Sequence, residues 1–465
     1  MKKSRKIILA GLAALMLAGT CVLTACSDDD NKGEQEHTHK YVNYVCDGCG
    51  SVDPTAQGTE GLIYTEIEDN GTVIGYSVTS HTNLSFGDEE DGEPDVEFTP
   101  TQVIVPATHD GKPVLEIAKY AFYERANITS IIIADGVTKI CDAAFGDCVG
   151  LVNVAMGNGV KEIGEMAFGY CTSLQSIKIP KSVESIGRGA FYGFRGIAGI
   201  SVYSGNTNYK STGNCLIETA EKTLIWGNKN SVIPTDGSVE NIGFYAFYRS
   251  EGLTAINIPN TVKSIGEGAF EECGDLLSVN IPDSVKAIGE YAFFRCSSMT
   301  SITFGKGLTS IGRGAFSTCN SLQTITVASG NTKYHSSGNC LIETATKTLL
   351  LGGKNAVLPT DGSIAVIAER AFQNRGGWST LVIPDSVTEI GSEAFYGSDL
   401  TSIKMGVNVT KIGEYAFGYN NDLTSIEFDG SKEEWAAITK EADWKYETGE
   451  FTVTCNNGTL SKSEC

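Results

Sequence analysis

The sequence predicts a solenoid, in which one short strand per coil stacks on the strand of the next coil. The dipeptide Ala-Phe recurs eleven times, mostly at a step of 23 residues, and an apolar alternation precedes each copy at a fixed distance. Glycine is abundant at 53 residues and proline scarce at 11, which suits many regularly spaced tight turns. A period of this length is typical of repeat architectures. The phenylalanines stand at positions 122, 145, 168, 191, 247, 270, 293, 316, 372, 395 and 417.

A single repeat shows how each part of the unit contributes. Ile177 and Ile179 alternate with polar residues as in a half-buried strand, and Pro180 ends the hydrogen-bonding run. Gly187 fits a tight corner, and the Ala-Phe pair ending at Phe191 places a small residue and a large ring inside the coil. One strand cannot bury its apolar side alone, so the units must stack.

These residues resemble the BspA-like leucine-rich repeats, also described from a treponemal surface protein, whose unit reads roughly L-x-x-I-x-I-P-x-x-V-x-x-I-G-x-x-A-F-x-x-C. The similarity covers about residues 100 to 428. The resemblance implies a leucine-rich-repeat solenoid whose short parallel strands form an elongated, curved ribbon. It also implies a surface protein used for adhesion or for contacts with host and matrix.

The chain begins with features of an exported lipoprotein. Four basic residues among the first six precede an apolar stretch from Ile7 to about Leu17, which is too short to span a bilayer. The sequence Leu23-Thr24-Ala25-Cys26 resembles a lipobox, so residues 1–25 are predicted to be a lipoprotein signal peptide and Cys26 the site of lipid attachment. The alternative is an ordinary signal peptide with an incidental cysteine.

Residues 26–60 are predicted to form a lipidated acidic tether, since Asp28, Asp29 and Asp30 open a strongly polar stretch. This stretch resembles surface-export signals of some Gram-negative lipoproteins, and a plain acidic spacer is the alternative.

A small cluster of metal-ligating residue types lies within the tether. His37, His39, Cys46 and Cys49 have the pair spacings of a tetrahedral zinc site, and four protein ligands would make that site structural. In an extracytoplasmic compartment Cys46 and Cys49 are alternatively oxidised or free. No other cofactor is expected.

Residues 61–113 are predicted to cap the first coil, with strands at 75–79 and 103–106. The acidic run 88–95 inside this cap lacks the ligand spacing of an EF-hand, so a solvated loop is preferred over a calcium site. The solenoid itself is predicted to occupy residues 114–428.

Two islands interrupt the solenoid, at about residues 199–240 and 324–365. The segments NTNYKSTGNCLIET, from Asn206, and NTKYHSSGNCLIET, from Asn331, are 125 residues apart, which indicates a duplicated block of four coils. Each island is predicted to be a wider, strand-rich coil because 223–225 and 231–234 alternate like strands.

Five cysteines share one interior column, three positions after the repeat phenylalanine. A small buried thiol is a packing residue, and that interpretation is preferred over a ladder of disulfides or metal sites. The five are Cys148, Cys171, Cys273, Cys296 and Cys319.

Stacking in register would align one solvent-facing residue from each strand into a row. Ile132, Ala155 and Val382 belong to this row by position, and its remaining members are mixed in chemistry. These form the candidate binding face: Lys178, Ser201, Asn257, Asn280, Thr303, Thr326, Lys404 and Glu427.

Residues 429–465 are predicted to close the other end of the solenoid. The segment from Glu433 to Trp444 reads as a helix, and Phe451–Thr454 as a strand.

The charge and the residue inventory exclude several functions. A net charge of −21 without a basic patch argues against nucleic-acid partners. The row offers no paired carboxylates and no nucleophile beside a base, and a flat ribbon gives no dry pocket, so the chain is predicted not to be an enzyme.

The favoured hypothesis is an extracytoplasmic protein, lipid-anchored to a bacterial membrane at the cell surface, that binds a host or matrix protein or a glycan. The alternative is an envelope structural or polysaccharide-accessory protein, motivated by the lack of an obvious hot-spot cluster of Trp, Tyr and Arg. An enzyme is the least favoured hypothesis.

Overall fold

The computed structural model describes residues 41–42, 45–46, 52, 56–80 and 98–465. It is a parallel β-solenoid of about 15 turns with almost no helix, which confirms the predicted leucine-rich-repeat solenoid. Among these residues no helix is both long and apolar enough to cross a bilayer. The predicted signal peptide, Cys26 and the acidic run 88–95 lie outside the described residues.

The solenoid starts from an antiparallel hairpin that feeds into a parallel ladder. Asn70 and Gly71 join its two strands at φ angles of 50° and 76°, as a two-residue turn between twisted strands requires. The second strand pairs in parallel with the strand that ends at Ile117, and so offers the first coil a partner. The N-terminal strands are β1 Tyr41–Val42, β2 Val45–Cys46, β3 Ile63–Asp69, β4 Thr72–Thr79, β6 Thr108–His109 and β7 Lys112–Ile117.

The regular coils each contribute one four-residue strand to a first ladder, except the coil of Asn257, which contributes an isolated bridge at Ala255. Within these strands the second and fourth residues point into the core and the first and third point outward, as in a half-buried strand. The first group is β5 Gln102–Val105, β8 Ser130–Ile133, β10 Asn153–Met156, β12 Ser176–Ile179 and β14 Gly199–Val202. The second is β20 Ser278–Ile281, β22 Ser301–Phe304 and β24 Thr324–Val327. The third is β29 Thr380–Ile383, β31 Ser402–Met405, β33 Ser425–Phe428 and β35 Thr452–Cys455. Strand β36 Gly458–Ser461 pairs antiparallel with β35 at the end of this ladder and does not share the burial pattern.

A second ladder consists of two-residue strands, most of which end at the Ile of the recurring Ile-Gly pair, where the sequence had predicted only a corner. A Cβ built at Gly187 would lie 2.4 Å from Glu165 N, so close approach of successive coils requires glycine there. Its strands are β9 Lys139–Ile140, β11 Glu162–Ile163, β13 Ser185–Ile186, β18 Asn241–Ile242, β19 Ser264–Ile265, β21 Ala287–Ile288, β23 Ser310–Ile311, β28 Val366–Ile367, β30 Glu389–Ile390, β32 Lys411–Ile412 and β34 Thr439–Lys440.

The Ala-Phe pairs form the third side of each coil. Met166 and Tyr170 hold positive φ angles of 53° and 56°, and the alternate N–H groups of this turn donate to the next coil. Phe168 N, for example, lies 2.9 Å from Ala190 O. The rings stack in the core, with Phe270 and Phe293 centroids 5.0 Å apart, close to the spacing of hydrogen-bonded strands. The predicted interior position of the Ala-Phe pair is confirmed.

Each island is a three-stranded antiparallel meander whose last strand rejoins the second ladder by pairing in parallel. The prediction of strand at 223–225 is confirmed, whereas that at 231–234 is wrong. Those residues run extended beside the hairpin turn, where Val232 N donates to Gly213 O at 2.7 Å. The strands are β15 Tyr209–Thr212, β16 Cys215–Glu218 and β17 Thr223–Trp226 in the first island, and β25 Tyr334–Ser337, β26 Cys340–Glu343 and β27 Thr348–Gly352 in the second.

The C-terminal cap contains helix α1 Lys432–Ala437, which begins at a capping box formed by Ser431 and Glu434. The predicted extension of this helix to Trp444 is wrong, because β34 pairs with β32 directly after α1 and so continues the second ladder. The predicted strand near the end is present as β35. A 3-10 helix at Lys462–Glu464 closes the chain.

Candidate binding surfaces

The outer side of the first ladder carries the predicted binding face. Most of its members are exposed, while Thr303 and Lys404 are half-buried between their neighbours. The exposed members are Lys178, Ser201, Asn257, Asn280, Thr326 and Glu427.

The structure divides this face among three sheets. Lys178 pairs in register with Ser201 on the first sheet, and Lys404 with Glu427 on the third. The middle sheet aligns Asn280, Thr303 and Thr326, whereas Asn257 lies outside any strand. The row is therefore interrupted at both islands, because the chain leaves the first ladder there to form the meander.

The lysines of the face contact neighbouring side chains. Lys404 Nζ lies 3.1 Å from Glu427 Oε1 and 3.5 Å from Asp429 Oδ1. Lys178 Nζ lies 3.5 Å from the centroid of the Tyr203 ring. Both ammonium groups therefore lie against neighbouring side chains. Most of the remaining members of the face are Ser, Thr and Asn.

The N-terminal end of the row is covered, which corrects the assignment of Ile132 as solvent-facing. Ile132 is only 3% exposed, because Val52 packs against it and is itself 1% exposed. Val52 N lies 3.4 Å from Asp135 Oδ1, and Thr59 Oγ1 accepts a hydrogen bond from Ile104 N at 2.6 Å. The apolar start of the row is therefore a docking site for the chain's own preceding segment.

The predicted zinc ligands fall almost entirely outside the described residues. His37, His39 and Cys49 are among the residues not described, and Cys46 is described only as the last residue of β2. Within the described ranges, no group of three or more His, Cys, Asp or Glu side chains is placed to hold a metal ion.

The cysteine column consists of buried free thiols that also donate hydrogen bonds. Cys171 Sγ lies 3.2 Å from Phe145 O of the preceding coil, and Cys148, Cys273, Cys296 and Cys319 repeat the contact. Ser398 and Asn420 occupy the same column and donate to the equivalent carbonyls. Most members of the column therefore supply a buried donor, although Phe194, at the same position, does not, and the sequence pattern alone did not reveal these hydrogen bonds.

A cluster of tyrosine and arginine side chains lies at what we call the first seam, the edge where the coils of Phe191 and Phe247 meet across the first island. Tyr170 Oη and Tyr248 Oη are 2.8 Å apart, although 78 residues separate them in sequence. The Arg188 guanidinium lies 4.1 Å from the centroid of the Phe244 ring. The cluster comprises Tyr170, Arg188, Tyr192, Phe244, Tyr245, Tyr248 and Arg249.

The cluster is fixed by charge as well as by ring contacts. Arg249 Nε donates to Glu272 Oε2, and this hydrogen bond lowers the pKa of the Glu272 carboxyl. Burial raises the pKa of Tyr192 and of Tyr248 above the ordinary value for tyrosine, which further disfavours deprotonation of both phenols. The first seam thus presents hydroxyl, guanidinium and ring surfaces together.

No hot-spot cluster of Trp, Tyr and Arg is evident in the sequence, whereas the first seam brings tyrosine and arginine side chains together. Tyr192 and Tyr245 lie in different repeats, yet their ring centroids are 5.8 Å apart. The tyrosines are visible beside the repeat phenylalanines in the sequence. Their proximity depends on how the 56-residue step places the two coils next to each other. The repeat pattern alone does not predict this placement.

The profile of the family described as BspA type leucine rich repeat region matches six copies in this chain. The matches cover residues 115–236, 227–340 and 354–442, which together make up more than half of the sequence.

Three solved structures of bacterial leucine-rich repeat proteins are similar to the chain. One from Eubacterium ventriosum is 22% identical, with a TM-score of 0.49, over 73% of this chain and 93% of its own. One from Bacteroides ovatus is 23% identical, with a TM-score of 0.43, over 85% of this chain and 98% of its own. A leucine-rich cell surface protein from Faecalibacterium prausnitzii is 23% identical, with a TM-score of 0.39, over 83% and 99%. No curated protein matches.

Proposed function

Because the chain belongs to the family of BspA-type leucine-rich repeat proteins, we propose that it is a lipid-anchored cell-surface protein that recognises a host or matrix protein or a glycan. The family suggests binding or recognition, and leucine-rich repeat proteins are generally non-catalytic binding scaffolds. The lipobox-like sequence ending at Cys26, followed by a polar tether, supports attachment to the membrane through an N-terminal lipid.

The observation that carries this proposal is the tyrosine and arginine cluster at the first seam. Tyr and Arg are enriched among residues that dominate binding energy, because they combine large contact area with hydrogen bonding. The Arg188 side chain is 62% exposed, and the Phe244 ring beneath it is half-buried, so both can contact a partner. The polar row of the first ladder supplies further weak contacts.

The same observation weighs against the alternative of an envelope structural or polysaccharide-accessory protein. That hypothesis was motivated by the lack of a hot-spot cluster, and the first seam contains one. Recognition of an extracellular partner is therefore the function that the geometry favours.

Binding arrays test the proposal. The full chain, purified in a mild detergent, would be applied to matrix proteins, mucins, glycans and cell-wall fragments. We expect saturable binding to a protein or glycan from outside the cell, and at least tenfold weaker binding for the double variant Arg188→Ala/Phe244→Ala. Lys306→Ala is the matched control, because Lys306 is a cation as exposed as Arg188 whose partner, Asp283, lies outside the first seam.

The outcomes separate the two functions. Binding only to the cell's own envelope material would support the structural role instead, and failure to bind any component would overturn the proposal. Equal binding by the double variant and the control would show that the first seam is not the contact surface.

A further inference from the structure

The two copies of the duplicated block differ at many positions, and several of these differences lie at the seam that follows each island. We call the second of these seams the second seam, where the coils of Phe316 and Phe372 meet. Six aromatic residues of the first seam and of the three-stranded meander in its island are replaced by smaller or charged residues at the positions 125 residues later, including Tyr170 by Arg295 and Tyr248 by Gln373. The other four replacements line a pocket at the second seam, and they are Tyr192 by Ser317, Trp226 by Leu351, Phe244 by Glu369 and Tyr245 by Arg370.

These replacements accompany a pocket of about 190 Å³ at the second seam. Its apolar walls come from β26, β27 and the Ala-Phe turn, and include Leu341, Leu350 and Phe316. Its rim carries Arg313, Glu369 and Arg370. A cavity of about 150 Å³ lined by apolar side chains is large enough to bind benzene, so this pocket is large enough for one aromatic ring.

The first copy shows what fills the equivalent space. A Cβ built at Gly189 would lie 3.4 Å from Phe244 Cε1, so the Phe244 ring covers this glycine. The counterpart of Gly189 is Gly314, which lines the pocket. The first copy thus places the Phe244 ring over this glycine, whereas Glu369, at the equivalent position of the second copy, lines the pocket and supplies no ring.

The cation that contacts this ring is retained in the second copy. Arg188, which lies 4.1 Å from the Phe244 ring centroid, corresponds to Arg313. Arg313 Nη2 lies 3.0 Å from Glu369 Oε1, which holds the guanidinium at the rim. A guanidinium beside an apolar pocket attracts the face of an aromatic ring.

A second guanidinium belongs to the rim, and a tyrosine ring packs against one of the lining glycines. Arg370 Nη2 lies 2.7 Å from Glu393 Oε1, so this second guanidinium is also fixed. The Tyr291 ring lies against Gly314, where a built Cβ would be 2.7 Å from Tyr291 Cε1. The pocket therefore combines apolar walls with two guanidinium groups that are held in place by carboxylates.

We propose that the pocket at the second seam binds an aromatic side chain presented by a protein partner, in the place that Phe244 fills in the first copy. The inference rests on the proposed binding function, and it specifies that one group of the partner is an aromatic side chain. An aliphatic side chain would bury similar area but would not use the Arg313 guanidinium.

The pocket can be tested with a small aromatic molecule, independently of any partner. The probe is 4-fluorophenol, titrated into the full chain in detergent and followed by ¹⁹F NMR, with detergent alone as the blank. We expect saturable binding at millimolar concentration, as befits a single ring. Binding should be at least tenfold weaker in the double variant Ser317→Tyr/Glu369→Phe, which restores the residues of the first copy.

A matched control and a milder variant complete the experiment. Glu414→Phe makes the same change at the same coil position two coils away, and should leave probe binding unchanged. Arg313→Ala changes an exposed side chain and should weaken binding about two- to fivefold, even if the double variant does not fold.

Two results would overturn the inference. One is the absence of saturable binding of 4-fluorophenol above the blank, and the other is equal binding by the parent and the Arg313→Ala variant. Neither result would affect the array test of the first seam, since that test uses different residues and different ligands.

Discussion

The guanidinium of Arg375 donates to the backbone carbonyl of Gly352 at 3.0 Å, joining the end of the second island to the coil that follows it. Arg375 is fully buried, and it also donates to the carbonyls of Ala371, Phe316 and Cys319. Arg375 belongs to the cysteine column, since it lies three residues after Phe372. At this point the second island separates the coil of Phe372 from the coil of Phe316. A long side chain with several donors therefore satisfies carbonyls from three different segments.

Replacing Arg375 with Met should destabilise the chain strongly. The substitution keeps an apolar stem of similar length but leaves buried carbonyls without this donor, at a cost of roughly 3 kcal/mol. The free energy of unfolding, measured by urea titration with circular dichroism, checks this value. Arg195→Met is the control, because exposed ion pairs contribute at most about 1 kcal/mol. Equal stability of the two variants would contradict the role assigned to Arg375.

The thiols of the cysteine column should resist alkylation in the native chain. Burial raises the pKa of Cys148 and of Cys273 to about 12, so almost no thiolate forms at pH 8. Iodoacetamide followed by mass spectrometry should leave these cysteines unmodified until urea is added, after which all five column thiols should react. Labelling without urea would show that the column is accessible, and failure to label in urea without reductant would indicate disulfides.

Glu271, next to the first seam, should make stability depend on pH. Burial, aided by the charge of Glu272, raises the pKa of the Glu271 carboxyl from 4.5 to about 7. The folded chain therefore holds this proton more tightly than the unfolded chain, and the contribution of Glu271 to stability falls as pH rises from about 4.5 to 7.

The variant Glu271→Gln removes this titration. Urea midpoints of parent and variant should converge at low pH, and the variant should be the more stable of the two above pH 7. Glu290→Gln, at an exposed carboxylate of the next coil, should keep the parent's profile. Parallel profiles for the parent and Glu271→Gln would contradict the raised pKa.

Period and alternation were sufficient to predict the solenoid, because both are local patterns. Ile177 and Ile179 mark a strand with its inward residues, and the Ala-Phe spacing gives the length of a coil. The helix predicted to reach Trp444 fails because pairing of Thr439–Lys440 with β32 outweighs the local preference of this short segment.

The candidate surfaces were less predictable, because they depend on which coils become neighbours. Tyr170 and Tyr248 touch only because the first island brings their coils together. Val52 covers Ile132 across 80 residues, which no local pattern signals. The second-seam pocket becomes visible only when the two copies are compared in three dimensions.

One asparagine fixes the start of each island, so the same prediction applies to both islands. Asn331 Nδ2 donates to Gly305 O at 3.0 Å and to Leu308 O at 3.1 Å, while Asn331 Oδ1 accepts from the N–H groups of Lys333 and Tyr334. Asn206 makes the equivalent four hydrogen bonds at the first island. The side chain thus ties the start of the meander to the coil before it.

Asn331→Asp and Asn206→Asp should each destabilise the chain by about 1 to 3 kcal/mol, because a carboxylate cannot donate to two carbonyls and is repelled by them. The control is Asn408→Asp, at an exposed site with one such bond, to Asp385 O. Since the two asparagines lie 125 residues apart and share no partner, the double variant should lose the sum of the single effects. Urea unfolding of the four variants provides the measurement. A loss no larger than that of Asn408→Asp would show that the islands are held by their strands alone.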